Sequence, residues 1–338
     1  MNNCGLIDEI MNDFDNDIFK LERILKSKYY VRYKVKENLN DEIEEFLLNL
    51  PFEENEIPIK DIVLCNNSKS KEYIKSFFDY LELKFPIGNS KEIFKEERKS
   101  EKLKWDSTKC SEQIRCIRNL LIYKYTKLYT MLRNEYGERL TTGNNYYICP
   151  YCKRNYINVI VSENKQRKIK PDLDHFYPKS LYPFLAVTLS NLIPSCLTCN
   201  QRCKGNIDTF EIKPHIYPPD NVFKLLNFTY NHFPKKIGIK IDEKFDKFNT
   251  TKTEVENHLE TFLIEETYSG HTEILDLIKE KYDKYSESKM DDLSTMIEGL
   301  NKTNIKNIVF YEYEKLKKDD NKEPLSKLKL DLYKDIVK

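Results

Sequence analysis

The sequence predicts an α+β protein in which a small β-β-α unit, stapled by four cysteines, is set between mainly helical N- and C-terminal regions. Three observations predict it. Two Cys-x-x-Cys pairs, Cys149-Pro-Tyr-Cys152 and Cys196-Leu-Thr-Cys199, bracket the run Asp172-Leu-Asp-His-Phe-Tyr-Pro-Lys179; a β-branched run follows the first pair; and apolar stripes of helical period lie on both sides. The expected division is residues 1–143, 144–220 and 221–338.

In the first region, Ile7, Ile10, Phe14, Ile18, Leu21 and Leu25 recur at helical spacing. Shorter helical patterns lie near Asn40 to Asn49, ended by Pro51, and from Ser70 to Leu83. The stripe Ile114, Ile117, Leu121, Tyr125, Leu128 and Leu132 marks a long helix. The early carboxylates Asp8, Glu9, Asp13, Asp15 and Asp17 read as a solvated helix face rather than a metal site. Gly143-Asn-Asn145 then breaks the helical pattern.

Tyr156 to Val161 reads as a strand, and polar Ser162 to Lys170 turns the chain back towards Pro171 and the Asp-His pair, giving a β-hairpin. From Asn191 the pattern suggests a helix carrying Asn200 and Lys204. Past Pro214, Pro218 and Pro219, the alternating Ile237 to Ile241 suits a short strand. Helical patterns resume at Val255 to Ile264, Ile274 to Tyr285 and Ile305 to Leu316.

Composition narrows the function. The 338 residues carry 56 basic and 55 acidic side chains, so any nucleic-acid contact must be local rather than the work of a polycation. Residues 145–220 hold ten basic and six acidic residues, a modest excess placed where a phosphate backbone would sit. No apolar run approaches the roughly 18 residues of a membrane span, and the N-terminus lacks the form of a signal peptide. A cytoplasmic protein without membrane contact is expected. Nine cysteines in a reducing compartment fit zinc better than disulfides.

Four thiolates in two pairs, Cys149, Cys152, Cys196 and Cys199, are the ligand set of one structural Zn²⁺, which takes soft sulfur donors in a closed tetrahedron. Cys203 is then a decoy, and His215, His232, His258 and His271 are ordinary polar residues. Between the cysteines lie a carboxylate, an imidazole and two side-chain amides, the equipment of a metal-dependent phosphodiesterase.

Asp174-His175 followed by Pro178, Asn191 in Asn-Leu-Ile-Pro-Ser-Cys196, and Asn200 in Cys-Asn-Gln-Arg-Cys-Lys-Gly205 resemble the HNH endonucleases, whose shared unit is the ββα-metal fold. The likeness covers roughly 60 residues in the family's order. More narrowly, His-Phe-Tyr-Pro-Lys-Ser180 with Tyr-Pro183 and the Cys-Asn…Lys-Gly element are similar to the nuclease component of Septu-type and retron-associated antiphage systems. Asn200 stands where the family's name has its final histidine, a frequent variant.

The chemistry agrees with what the resemblance implies. His175 can accept a proton from water, and Asp174 and Asn200 offer hard oxygens to one Mg²⁺ or Mn²⁺. The resemblance gives Asn191 a structural role, its amide pinning the loop that carries the base. Asp172 is a further orienter or outer-shell ligand. Lys179, Arg202 and Lys204 are expected to contact phosphates, positioning the backbone without reading bases.

The expected function is therefore a metal-dependent HNH endonuclease hydrolysing DNA as an antiphage effector, and the Septu-like resemblance implies a partner ATPase. The alternatives are an RNA-cleaving nuclease, a catalytically silent zinc scaffold that binds nucleic acid or serves as an adaptor, and a free-standing restriction or homing nuclease. The last would call for a target-recognition domain that the near-neutral helical flanks do not suggest.

Overall fold

In a computed structural model the structure describes residues 59–96, 109–143, 146–164, 168–231, 236–316 and 323–337. The stripes at 7–25 and 40–49, the carboxylates at 8–17 and His232 lie outside the described residues. The chain divides into two compact units that alternate along the sequence. One comprises 1–145, 173–194 and 206–212, the other 146–172, 195–205 and 213–338, so segment 144–220 contributes to both.

The first unit is helical. Its elements are α1 (Ile59–Leu64), α2 (Asn67–Lys84), α3 (Ser90–Lys95) and the 34-residue α4 (Cys110–Gly143), the last about 51 Å long at the α-helical rise. Asn66 Oδ1 caps α2 by accepting the Lys69 N–H at 2.9 Å. The buried residues Tyr73, Ile74, Phe77, Phe78 and Leu81 form one face of α2. Phe77 packs against Phe94 of α3 and against Phe184, with ring centroids 5.1 and 4.7 Å away. On α4, Ile114, Ile117, Leu121, Tyr125, Leu128 and Leu132 are all buried, which bears out the stripe read from sequence.

Two long-range clamps complete this unit. Lys95 Nζ donates to Tyr182 Oη, Asp208 Oδ2 and Glu211 Oε2 at 2.7, 2.8 and 2.7 Å, fixing 206–212 onto α3. From there the Thr209 hydroxyl donates to the Phe176 carbonyl. Thr188 Oγ1 donates to Ile62 O at 2.7 Å and Ser190 Oγ to Cys65 O at 2.7 Å, tying the loop before Asn191 to α1 and its end.

The second unit begins with the first cysteine pair on a tight antiparallel turn, where Ile148 bridges Tyr156 and Cys149 N–H donates to Asn155 O at 2.9 Å. A hairpin follows as β1 (Ile160–Val161) and β2 (Lys168–Ile169), antiparallel with Ile160 opposite Ile169, but it corrects the expectation: its second strand lies within the segment read as the turn, and the Asp-His pair is on a separate strand. The hairpin is shorter than expected, because Tyr156 belongs to the cysteine turn. β3 (Asp172–His175) then pairs with β4 (Leu192–Ser195).

β4 corrects the expectation of a helix from Asn191. Asn191 ends a short 3₁₀ turn (Leu189–Asn191), and the chain then extends. Pro194 explains the difference, since proline lacks an N–H and disfavours helical geometry in the residue before it. The helix starts only at Thr198 and runs to Lys204 as a π-helix.

The hairpin β5 (Leu226–Asn231) and β6 (Lys236–Ile241) contains the expected strand, with Leu226 opposite Ile241 and Asn231 opposite Lys236. Helices α5 (Lys252–Thr261), α6 (Ile264–Ser269), α7 (Thr272–Lys284), α8 (Glu287–Met296), α9 (Lys302–Val309), α10 (Tyr311–Leu316) and α11 (Ser326–Ile336) make the remainder mainly helical, as expected. Asp331 and Asp335, one turn apart on α11, accept the Phe228 and Tyr230 N–H groups at 3.0 and 3.1 Å, satisfying the outer edge of β5. Among the described residues no helix is long and apolar enough to cross a membrane.

Candidate active site and metal centre

The sulfurs of Cys149, Cys152, Cys196 and Cys199 all lie within 4.8 Å of one another, and all four residues are buried. A tetrahedral zinc centre with Zn–S near 2.3 Å places its sulfurs about 3.8 Å apart, so this cluster could hold a zinc ion. Both turns are built alike. The residue after each second cysteine donates its N–H to the carbonyl of the first, Lys153 to Cys149 at 2.8 Å and Asn200 to Cys196 at 3.0 Å.

Donors also reach the sulfurs themselves. Asn155 Nδ2 donates to Cys196 Sγ at 3.2 Å, Cys196 N–H to Cys149 Sγ at 3.4 Å and Cys199 N–H to Cys196 Sγ at 3.5 Å. Hydrogen bonds from the Cys149, Cys152 and Cys199 thiols, then that from Asn155, pull the Cys196 thiol far below its ordinary value, while burial holds Cys149 well above its own. Four sulfurs this close cannot all ionise without a cation among them. Cys203 lies outside the cluster, as expected.

Three consecutive carbonyls on the first turn are each taken by the C-terminal region of the same unit. His258 Nε2 meets Tyr151 O at 2.9 Å, Tyr268 Oη donates to Cys152 O at 2.8 Å, and Leu325 N–H donates to Lys153 O at 2.9 Å. Nothing in the motif foretold this clasp. His258 and His215 are thus buried structural residues, and desolvation pushes them down to about 3 and about 4. His271 is held between Arg154 Nε and Glu273 Oε1.

The second turn sets Asn200. Its N–H closes the turn on Cys196, and its carbonyl accepts the N–H of Gly205, whose φ of +51° suits a residue without a side chain. Asp172 Oδ2 accepts from both Asn200 Nδ2 and Gln201 Nε2 at 3.0 Å. Asp172 is therefore an orienter of the Asn200 amide. With Nδ2 engaged, the Oδ1 atom of Asn200 is the one suited to a hard cation. Arg202 on the same π-helix is exposed. Lys204, expected at a phosphate, is only 2% exposed, so its charge is held inside the unit rather than offered at its surface.

Asp174, His175, Lys179 and Asn191 belong to the first unit. Asp174 is buried at 3% exposure and His175 at 8%. His175 Nε2 stands 2.9 Å from Ala186 O. A carbonyl oxygen can only accept, so Nε2 carries the proton and Nδ1 is the basic nitrogen of the neutral ring. Tyr129 on α4 backs the imidazole, with ring centroids 4.5 Å apart.

Asn191 pins the segment that follows His175. Its Oδ1 accepts the Tyr177 N–H at 2.7 Å, its Nδ2 donates to Tyr177 O at 3.1 Å and Leu185 O at 3.0 Å, and its own carbonyl accepts the Phe176 N–H at 2.9 Å. The side chain thus holds both ends of the loop from 177 to 185, one residue short of the carbonyl that fixes the His175 tautomer. Ala186 and Tyr129 went unnoticed in the sequence: one acts through its backbone, and the other hides within an ordinary helical stripe.

The chain is similar to the Septu protein PtuB of Bacillus thuringiensis, at 33% identity over 103 residues. That likeness covers 27% of this chain and 39% of the relative, so the match spans about two fifths of that protein's length. No family model matches the sequence. No solved structure matches it either.

Proposed function

We propose that this chain is a metal-dependent endonuclease of the HNH type that hydrolyses DNA and serves in antiphage defence. The observation that carries the reading is the fixed imidazole of His175, whose Nε2–H is spent on Ala186 O while Asn191 fastens the intervening loop. His258 makes the same kind of bond to Tyr151 O; what sets His175 apart is the adjoining Asp174 carboxylate and a loop fastened by a buried asparagine side chain. The likeness to a Septu protein supports the defence role.

In the proposed reaction His175 Nδ1 takes a proton from water, and the resulting hydroxide attacks phosphorus in line with the departing 3′-oxygen. By the HNH resemblance, Asp174 and Asn200 would each offer a hard oxygen to Mg²⁺ or Mn²⁺, which would supply Lewis-acid polarisation. Asp172 holds the Asn200 amide in the orientation that frees Oδ1. Lys179 and Arg202 position phosphates. The cysteine cluster would hold a structural Zn²⁺, which would keep Asn200 on its turn.

A nuclease unit that cuts with little base specificity endangers its host unless its access is gated. We assign that gating to assembly with a partner ATPase, in keeping with the Septu-type resemblance. The direct test is supercoiled-plasmid nicking with Mg²⁺ or Mn²⁺, comparing the protein with His175→Ala. Loss of a general base typically lowers the rate about 10²–10⁴-fold. Equal rates at matched metal would remove His175 from the mechanism, and cleavage of RNA in place of DNA would reassign the substrate.

A further inference from the structure

We propose that Arg133 of α4, a residue outside every motif in the chain, joins Lys179 in a binding site for the phosphodiester backbone beside His175. The geometry is a single helix face. Tyr129, Arg133 and Gly137 recur every four residues, so they share one side of α4. Both outer members face β3. The Tyr129 hydroxyl donates to Leu173 O at 3.3 Å, and a Cβ added at Gly137 would stand 3.8 Å from Leu173 Cδ1. Arg133, midway between them, is therefore held over the strand that carries Asp174 and His175.

The Tyr129 ring joins the parts. It packs edge-on to His175 at 4.5 Å, and Lys179 Nζ sits 5.0 Å from its centroid. Burial, and then the Arg133 charge, hold the Lys179 ammonium below its ordinary value. Neither cation has an ion-pair partner among the described residues. Two positive groups without an ion-pair partner among the described residues thus stand close enough to repel beside the proposed base, and a polyanion would relieve that repulsion. Naming a nucleic-acid backbone as that polyanion rests on the nuclease reading above.

The experiment is equilibrium binding of labelled DNA and RNA duplexes of one sequence to the full chain, without added divalent ion, across a range of salt. Arg133→Gln is expected to lower the slope of log K against log salt by about 0.9, the loss of one phosphate contact on a duplex. Arg133→Lys should keep the slope. Lys75→Gln, an exposed cation elsewhere on the first unit, should leave it unchanged.

Coincident slopes for the protein and Arg133→Gln, or no binding of either duplex, would overturn the site. A fall with DNA assigns the site to DNA backbone, and a fall with RNA alone assigns the same phosphate chemistry to RNA. Plasmid nicking with Mg²⁺ separates the two ideas. Coincident slopes in a protein that nicks would reject the site alone, while a reduced slope in a protein that never nicks would reject the nuclease reading and keep the site.

Discussion

Replacing Asn191 with alanine should loosen the loop behind His175 by an amount that follows from the bonds removed. The side chain is 2% exposed and satisfies three buried backbone groups: the Tyr177 N–H, the Tyr177 carbonyl and the Leu185 carbonyl. Each orphaned group costs about 1–3 kcal/mol. Shared partners and water entering the vacated space make the sum less than additive, so we expect about 3–5 kcal/mol. Hydrogen exchange reads this locally. Since about 1.4 kcal/mol is a factor of ten, peptides spanning 176–186 should lose roughly 10²-fold or more in protection. Asn191→Asp keeps the acceptor for Tyr177 but sets a carboxylate against two carbonyls, raising its pKa above the unfolded value near 3.9. A group raised in the folded state contributes its stability below that unfolded value and loses it as pH rises through the folded one. The Asp variant should therefore lose stability relative to the parent between pH 4 and 7. Unchanged exchange at 176–186 in Asn191→Ala would refute the account of the pinned loop.

Other outcomes can be stated briefly. Purified protein should contain one zinc per chain by elemental analysis, and Cys149→Ser or Cys196→Ser should lose it; zinc-free parent protein would reject the centre. Burial, with His215 adding to it, pushes His258 down to about 3, and burial pushes His215 down to about 4. Both are neutral when folded and charge near 6.5 when unfolded, so their contribution is complete above pH 6.5 and is lost on acidification towards pH 4. Unfolding at pH 5 should take up about one proton fewer in His258→Gln than in the parent by calorimetry in buffers of different ionisation enthalpy; equal uptake would contradict the burial argument. Asp172→Ala should weaken Mn²⁺ binding without removing zinc, and intact Mn²⁺ affinity would deny it the orienting role. Tagged protein expressed from its native gene neighbourhood should co-purify with an ATPase, and a protein that finds none and is active and tolerated alone would reject gating by assembly.

What the sequence made legible is what short-range geometry decides. The stripe from Ile114 to Leu132 names six positions and all six are buried, because helical period alone places them on one face. Cysteine spacing foretold the cluster, since two residues between thiols is the span of one tight turn. The strand at Leu192–Ser195 is less legible: Pro194 argues against helix there, but the polar, helix-compatible run that follows masks where the helix begins. The clasp on the first cysteine turn left no such trace. Its donors stand 107, 116 and 172 residues from the carbonyls they satisfy, and a single histidine, tyrosine or backbone N–H has no period to detect. Lys204 misled for the opposite reason: lysine is seldom buried, so only its packing could reveal that it does not face outward. The Asp-His and asparagine motif marks which atoms could do chemistry, whereas the groups that hold those atoms come from carbonyls and distant helices. Variants at His258 or Tyr268 should therefore weaken zinc retention although neither is a ligand, because each removes a side-chain bond that holds the cysteine turn in shape.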